Sequence, residues 1–120
     1  MTPFCLENPS WVVVEATGLA SLVQTVDLVI TGEGCTDSQT AFGKAPVGVA
    51  SVSKQYGKPV LCLSGSLGPG SDEVLQHGID ALMSVVPCPM SLEECMQNGA
   101  SFVERAAERL ARLLRVGMSL

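Results

Sequence analysis

Three short apolar runs, each followed by a turn and then a helical pattern, constrain this chain more than any other feature. They are Val26–Ile30, Pro59–Leu63 and Ala81–Val86. Each is nearly unbroken by polar residues and rich in β-branched or aliphatic side chains, as a strand covered on both faces requires. Strands that alternate with helices imply right-handed crossovers and a parallel sheet. The expected fold class is therefore α/β, a three-layer parallel sheet of flavodoxin or Rossmann-like kind, built from successive βα units over residues 1–120 as a single, partial domain. Three strands are few for such a domain, so its sheet edges call for cover from a second copy or a complementary segment.

The helices have readable ends. Pro46 suits a first helical turn, and Gly57 followed by Pro59 suits a stop after Tyr56. A shorter helix is expected over Asp72–His77, with Ser71 as its cap and Gly78 as its terminator. Ser91 with Glu94 forms a capping box, and an apolar stripe through Leu92, Met96, Phe102, Ala106, Leu110 and Leu114 marks one continuous closing helix. Val12–Leu22 reads as a weaker helix, and residues 1–10 as irregular.

Composition narrows the function classes. Twelve acidic against seven basic residues give a net charge of −5, which disfavours a nucleic-acid partner but leaves room for a locally built phosphate site. Five scattered cysteines and one histidine argue against a zinc site and for free thiols in a reducing cytoplasm. Neither a signal peptide nor a membrane span is expected.

In an open parallel sheet, ligands gather beyond the carboxyl ends of the strands. Two polar, glycine-rich segments are expected there as loops. Thr31–Lys44 carries Gly32, Glu33, Gly34, Asp37, Gln39, Thr40 and Lys44. Ser64–Asp72 offers Ser64, Gly65, Ser66 and backbone amides as an anion site. The carboxylates suit magnesium or a hydroxyl proton, and the lysine suits a phosphoryl group. The same residues also serve plain turns, caps and solvated surface, and Lys44-Ala45 departs from the Lys-Ser/Thr ending of a Walker loop. His77 is expected to be a surface or capping residue, and Asp80 to lie in the turn before the third strand.

Read together, Asp27–Gly34, Asp37–Thr40, Gly43–Ala50, Tyr56–Val60, Ser64–Gly68, Gly78–Ala81 and Pro89–Glu94 resemble the signature of the bacterial glycerate kinase family, over about Val12 to Leu114. The resemblance implies a phosphotransferase using ATP and Mg2+ to phosphorylate D-glycerate to phosphoglycerate, in a cleft between two α/β domains. The larger of these is flavodoxin-like and assembled from both ends of the family's chain, and this sequence matches its C-terminal share. By the same resemblance Glu33, Asp37, Gln39, Thr40 and Lys44 face the cleft, with Asp37 as magnesium or substrate-hydroxyl partner and Lys44 as phosphate partner. Cys35 stands where the family usually has arginine, and Met1–Pro9 match nothing in the pattern. The chain by itself is accordingly expected to be a weak or inactive kinase and to form a homo-oligomer or pair with a complementary segment. The alternatives are a non-catalytic ligand-binding or assembly module and, more remotely, a redox-sensing thiol at Cys35.

Overall fold

The computed structural model describes residues 17–120. They fall into two compact units that divide between Met83 and Ser84. The Met1–Pro9 segment, the expected irregular stretch and residues 12–16 of the helix expected over Val12–Leu22 lie outside the described residues. What is seen of that helix is α1, Leu19–Val23.

The first unit contains the sheet. Strand β1 is Val29–Thr36, β2 is Val60–Leu67 and β3 is Ala81–Ser84. They form a three-stranded parallel sheet in the order β1-β2-β3. The register of β1 on β2 runs from Val29 opposite Val60 through Glu33 opposite Ser64 to Thr36 opposite Leu67. The helix between them, α2, spans Ala45–Gln55 with proline in its first turn. It ends as its sequence suggests: Gly57 takes φ +67, and its amide and that of Lys58 return to the carbonyls of Lys54 and Ser53.

Two expected loops are strands for half their length. β1 runs through Thr31–Thr36 and β2 through Ser64–Leu67. The glycines that suggested turns instead let two backbones meet. A Cβ on Gly32 would stand 2.2 Å from the Leu63 carbonyl oxygen, and one on Gly65 would stand 2.5 Å from that of Gly34. Glycine inside a strand often marks such an approach.

Between β2 and β3 lies a 3₁₀ helix, Ser71–Gln76, more tightly wound than the α-helix expected there. Its cap is Gly70 at φ +74 rather than Ser71, which is the first residue of the helix. Gly78 does terminate the segment, at φ +98.

Apolar burial on one face of the sheet supplies the core. Val60 and Cys62 of β2 pack with Val47 and Ala50 of α2, and with Ala41, Val74 and Ile79. Val23 and Val52 form a second cluster, joined to the first through Val29. Full burial of each valine or isoleucine is worth roughly 1.5–3 kcal/mol, so these few side chains carry most of the stabilisation. The other face of β1 presents Ile30, Gly32 and Gly34 at exposed positions, with Ile30 53% exposed.

Asp80 pins this arrangement from the edge. One of its oxygens accepts from Lys54 Nζ of α2 and from the Val60 amide at 2.7 Å, while its own amide donates to the Val60 carbonyl at 2.8 Å. The Lys54 ammonium, with help from the Val60 amide, lowers the Asp80 carboxyl below its ordinary value against a smaller opposing effect of burial.

The second unit, Ser84–Leu120, is helical. Ser91 caps α3, Leu92–Gln97, by accepting from the Glu94 amide at 3.2 Å. The single closing helix expected from the periodicity is two: α4 starts at Gly99 and runs to Met118. Asn98 interrupts them with φ −113 and ψ 14, and its side-chain amide donates to the Glu94 carbonyl at 3.0 Å. Asparagine competes for backbone partners and glycine gives up chain entropy in a helix, so Asn98-Gly99 is a natural break. Along the stripe Ala106 is buried, Phe102, Leu110 and Leu114 are half-buried, and Leu92 and Met96 are largely exposed. Among the described residues no helix is long and apolar enough to cross a membrane, and Cys35, Cys62, Cys88 and Cys95 are free thiols.

Two outcomes follow from this packing. Gly32→Ala places a methyl group against backbone and is expected to cost about 2–3 kcal/mol in urea unfolding. Gly34→Ala enters open space and should cost under ~1 kcal/mol; equal costs would contradict the close approach. Asp80→Asn should lose about 0.5–1 kcal/mol at neutral pH, a value discounted for the exposure of this ion pair. Because the folded carboxyl is shifted downward, that advantage is present above the unfolded aspartate range near ~3.9. It is lost as pH falls through the lower folded value, where wild type and variant should converge.

Candidate functional site

The carboxyl ends of β1 and β2 bring most of the expected polar residues together. Glu33 is half-buried on the covered face of β1, opposite Ser64. Its Oε2 accepts from two hydroxyls, Thr36 at 2.9 Å and Thr40 at 2.8 Å. Hydrogen bonds from a hydroxyl to a carboxylate are worth about 1.5–3 kcal/mol each, more than neutral ones.

Thr40 is the hub of the loop. Its hydroxyl donates to Glu33 and accepts from the Asp37 amide at 3.2 Å. Its own amide donates to the Asp37 carbonyl at 3.1 Å, and its carbonyl accepts the Lys44 amide at 3.3 Å. One fully buried threonine thus ties the backbones of Asp37 and Lys44 to the side chain of Glu33. Asp37 Oδ1 accepts the Gln39 amide at 2.9 Å, a local turn of the kind aspartate favours. Gln39 precedes the short 3₁₀ helix Thr40–Phe42, which Gly43 closes at φ +108.

Lys44 is exposed at the N-cap of α2. The first amides of α2 have little left for an anion. Pro46 has none, and those of Lys44, Val47 and Gly48 are bonded within the chain. A phosphate near this helix end would depend on the Lys44 ammonium more than on backbone donors.

The β2 side is organised differently from the anion loop that its composition suggests. The Gly68 amide donates to the Thr36 carbonyl at 2.7 Å, the Ser38 amide to the Pro69 carbonyl at 3.0 Å, and the Ser71 amide to the Gly68 carbonyl at 3.1 Å. The first two bonds join the two loops to each other, and the third turns the second loop on itself. Ser64 is fully buried, Ser66 is exposed and Gly65 lies against the Gly34 backbone.

Sequence reading missed Thr36. It is fully buried and bonds to the Ser64 hydroxyl as well as to Glu33. Strict alternation would turn Cys35 inward and Thr36 outward, but the phase of β1 changes after Gly34, leaving Cys35 exposed and Thr36 enclosed. The Thr36 carbonyl's bond to Gly68 belongs to the same turn inward. Cys62, expected as a small core residue, is buried with its thiol 3.4 Å from the Ser64 hydroxyl. His77 and Asp80 lie at the surface of the unit, on the turn before β3.

Chemically, this sheet end offers two carboxylates and a cation on one continuous segment, with the backbone beneath them fixed by buried hydroxyls. Sequence comparison identifies the lineage. The profile of the glycerate kinase family matches residues 5–115, so the match begins at Cys5, ahead of the pattern visible from Val12. The chain is 54% identical over 99 residues to the glycerate kinase of Halalkalibacterium halodurans, covering 82% of this chain and 26% of that protein. It is 45% identical over 109 residues to the glycerate kinase of Bacillus subtilis, covering 91% of this chain and 28% of the relative. It is 42% identical over 107 residues to glycerate 2-kinase of Escherichia coli, covering 89% and 28%. The crystal structure named for glycerate kinase 2 of Salmonella typhimurium LT2 superposes with a TM-score of 0.67 at 38% identity, covering 91% of this chain and 26% of that one. The chain therefore spans about a quarter of the length of its relatives, and over nearly its whole extent it belongs to the glycerate kinase family.

Proposed function

We propose that this chain contributes one wall of a kinase site that transfers the γ-phosphoryl group of ATP to D-glycerate. The observation that carries this reading is the convergence of Glu33, Asp37 and Lys44 on Thr40 at the carboxyl end of a parallel sheet, in a chain of this family. In such a transfer a glycerate hydroxyl oxygen attacks the γ-phosphorus and the bond to the β-phosphate oxygen breaks, releasing ADP. The hydroxyl proton leaves to a carboxylate. Asp37 is the acceptor assigned here, with Glu33 four residues earlier and tied to the same threonine. Lys44 offsets charge on the phosphoryl oxygens.

The donor set also suits magnesium. Glu33 and Asp37 supply hard carboxylate oxygens, and among the described residues no cluster of three or more metal-binding side chains would hold an ion alone. Magnesium is commonly held by one or two carboxylates together with substrate phosphates, and Asp37 is the first candidate for that contact. When bound, the ion shields the phosphate charges. Gln39, Ser66 and the backbone at Gly32, Gly34 and Gly65 are the remaining positions assigned to substrate or phosphate. Free thiols throughout the described residues agree with a reducing, cytoplasmic setting.

ADP release by the folded chain, supplied with D-glycerate and Mg·ATP, tests the reading together with ligand binding by calorimetry. Turnover is expected to be far below the ~1–100 s−1 usual for kinases, because positioning from several sides is needed. Saturable binding of Mg·ADP or D-glycerate should persist, and Lys44→Ala should weaken it about tenfold with folding intact. A folded chain that neither turns over nor binds either ligand would contradict the proposal.

A further inference from the structure

Hydroxyl groups hold one proton each, and that fixes the direction of the buried polar chain beneath Glu33. Thr36 spends its proton on Glu33 Oε2. Its contact with Ser64 must then be donated by Ser64. With the Ser64 proton spent, the 3.4 Å contact with Cys62 is donated by the thiol. The thiol has a second acceptor in reach, Thr36 at 3.8 Å, while the sequence from Ser64 through Thr36 to Glu33 runs one way. Cys62 is 1% exposed, and Ser64 and Thr36 are both 0% exposed, so no solvent molecule substitutes for a missing partner.

A second donor reaches the same oxygen from the other side. Thr40, also fully buried, accepts the Asp37 amide and passes its own proton to Glu33 Oε2. Both hydroxyls go to Oε2 and neither to Oε1. With both hydroxyl donors on one oxygen, the second carboxylate oxygen is left for a partner from outside this network.

We propose that Thr36 and Thr40 are positioning residues that clamp Glu33 by Oε2 and reserve Oε1 for the incoming ligand, with Ser64 setting the direction of the clamp. This rests on the kinase reading for the identity of the ligand, though not for the clamp itself. It also gives Thr40 and Ser64 a role distinct from direct ligand contact, which their complete enclosure disfavours. Thr36 gains a role that no motif assigns to it.

The test uses the full chain and two readouts. Three-bond couplings and methylene relaxation by NMR report the Glu33 rotamer without any ligand. Wild type and Thr40→Ser should hold one rotamer, and Thr36→Val and Thr40→Val, which keep shape but lose the donor, should average among several. Should Thr36→Val fail to fold, Thr40→Val, which lies outside the strand, carries the comparison. The second readout is paramagnetic broadening by Mn·ADP in the presence of D-glycerate. Its apparent affinity should fall about five- to tenfold in Thr40→Val and stay within about twofold in Thr40→Ser. A single Glu33 rotamer persisting in folded Val variants would overturn the clamp. Loss of the rotamer in those variants, with no Mn·ADP binding even in wild type, would uphold the clamp and sink the kinase reading instead.

Discussion

Everything at the carboxyl end of the sheet depends on β1 and β2 approaching more closely than a side chain at Gly32 or Gly65 would permit. That approach sets the register in which Glu33 lies opposite Ser64 and Thr31 opposite Cys62. It places a hydroxyl of one strand within bonding reach of a hydroxyl of the other, and so allows polar side chains to be buried where an apolar core would otherwise close. Without it the fold could still bury Val60, Val47 and Ile79, but Thr36 would lose the Ser64 hydroxyl that ties it to β2.

Burying polar groups is costly unless each finds a partner. Here Thr36, Thr40 and Ser64 are fully enclosed, and each is bonded. A satisfied network of this kind narrows the alternatives open to a core, because any shift strands a donor or an acceptor. The strand-end network and the surface latch at Asp80 act at opposite ends of β2. The former fixes the polar site and the latter ties the start of β2 to α2. Between them lies the apolar cluster that supplies most of the stability.

Much of this was legible in the amino-acid sequence. The three apolar runs mark the three strands, Pro46 and Gly57 mark the ends of α2, and Ser91 marks the start of α3. Glycine misled in two places, since Gly32 and Gly65 have the composition of a turn, and only the neighbouring strand reveals why they are glycine. Thr36 was hidden by the phase change after Gly34, which a period-two reading cannot anticipate. Asn98-Gly99 breaks a stripe whose apolar spacing continues across it. Side chains brought together from residues 33, 36, 40 and 64 have no common spacing in the chain. The family likeness pointed to Glu33, Asp37 and Lys44, and the coordinates supply Thr40, whose hydroxyl joins Glu33 to the Asp37 amide and whose carbonyl accepts the Lys44 amide.

Crystals of the chain grown with D-glycerate and Mg·ADP offer the most direct measurement of the central claim. The account predicts ligand density beyond the carboxyl ends of β1 and β2, with Glu33 Oε1 in contact with the ligand or its ion and Oε2 still bonded to Thr36 and Thr40. Ligand bound elsewhere on the chain, or at this end through Oε2 with the two threonine hydroxyls released, would contradict it.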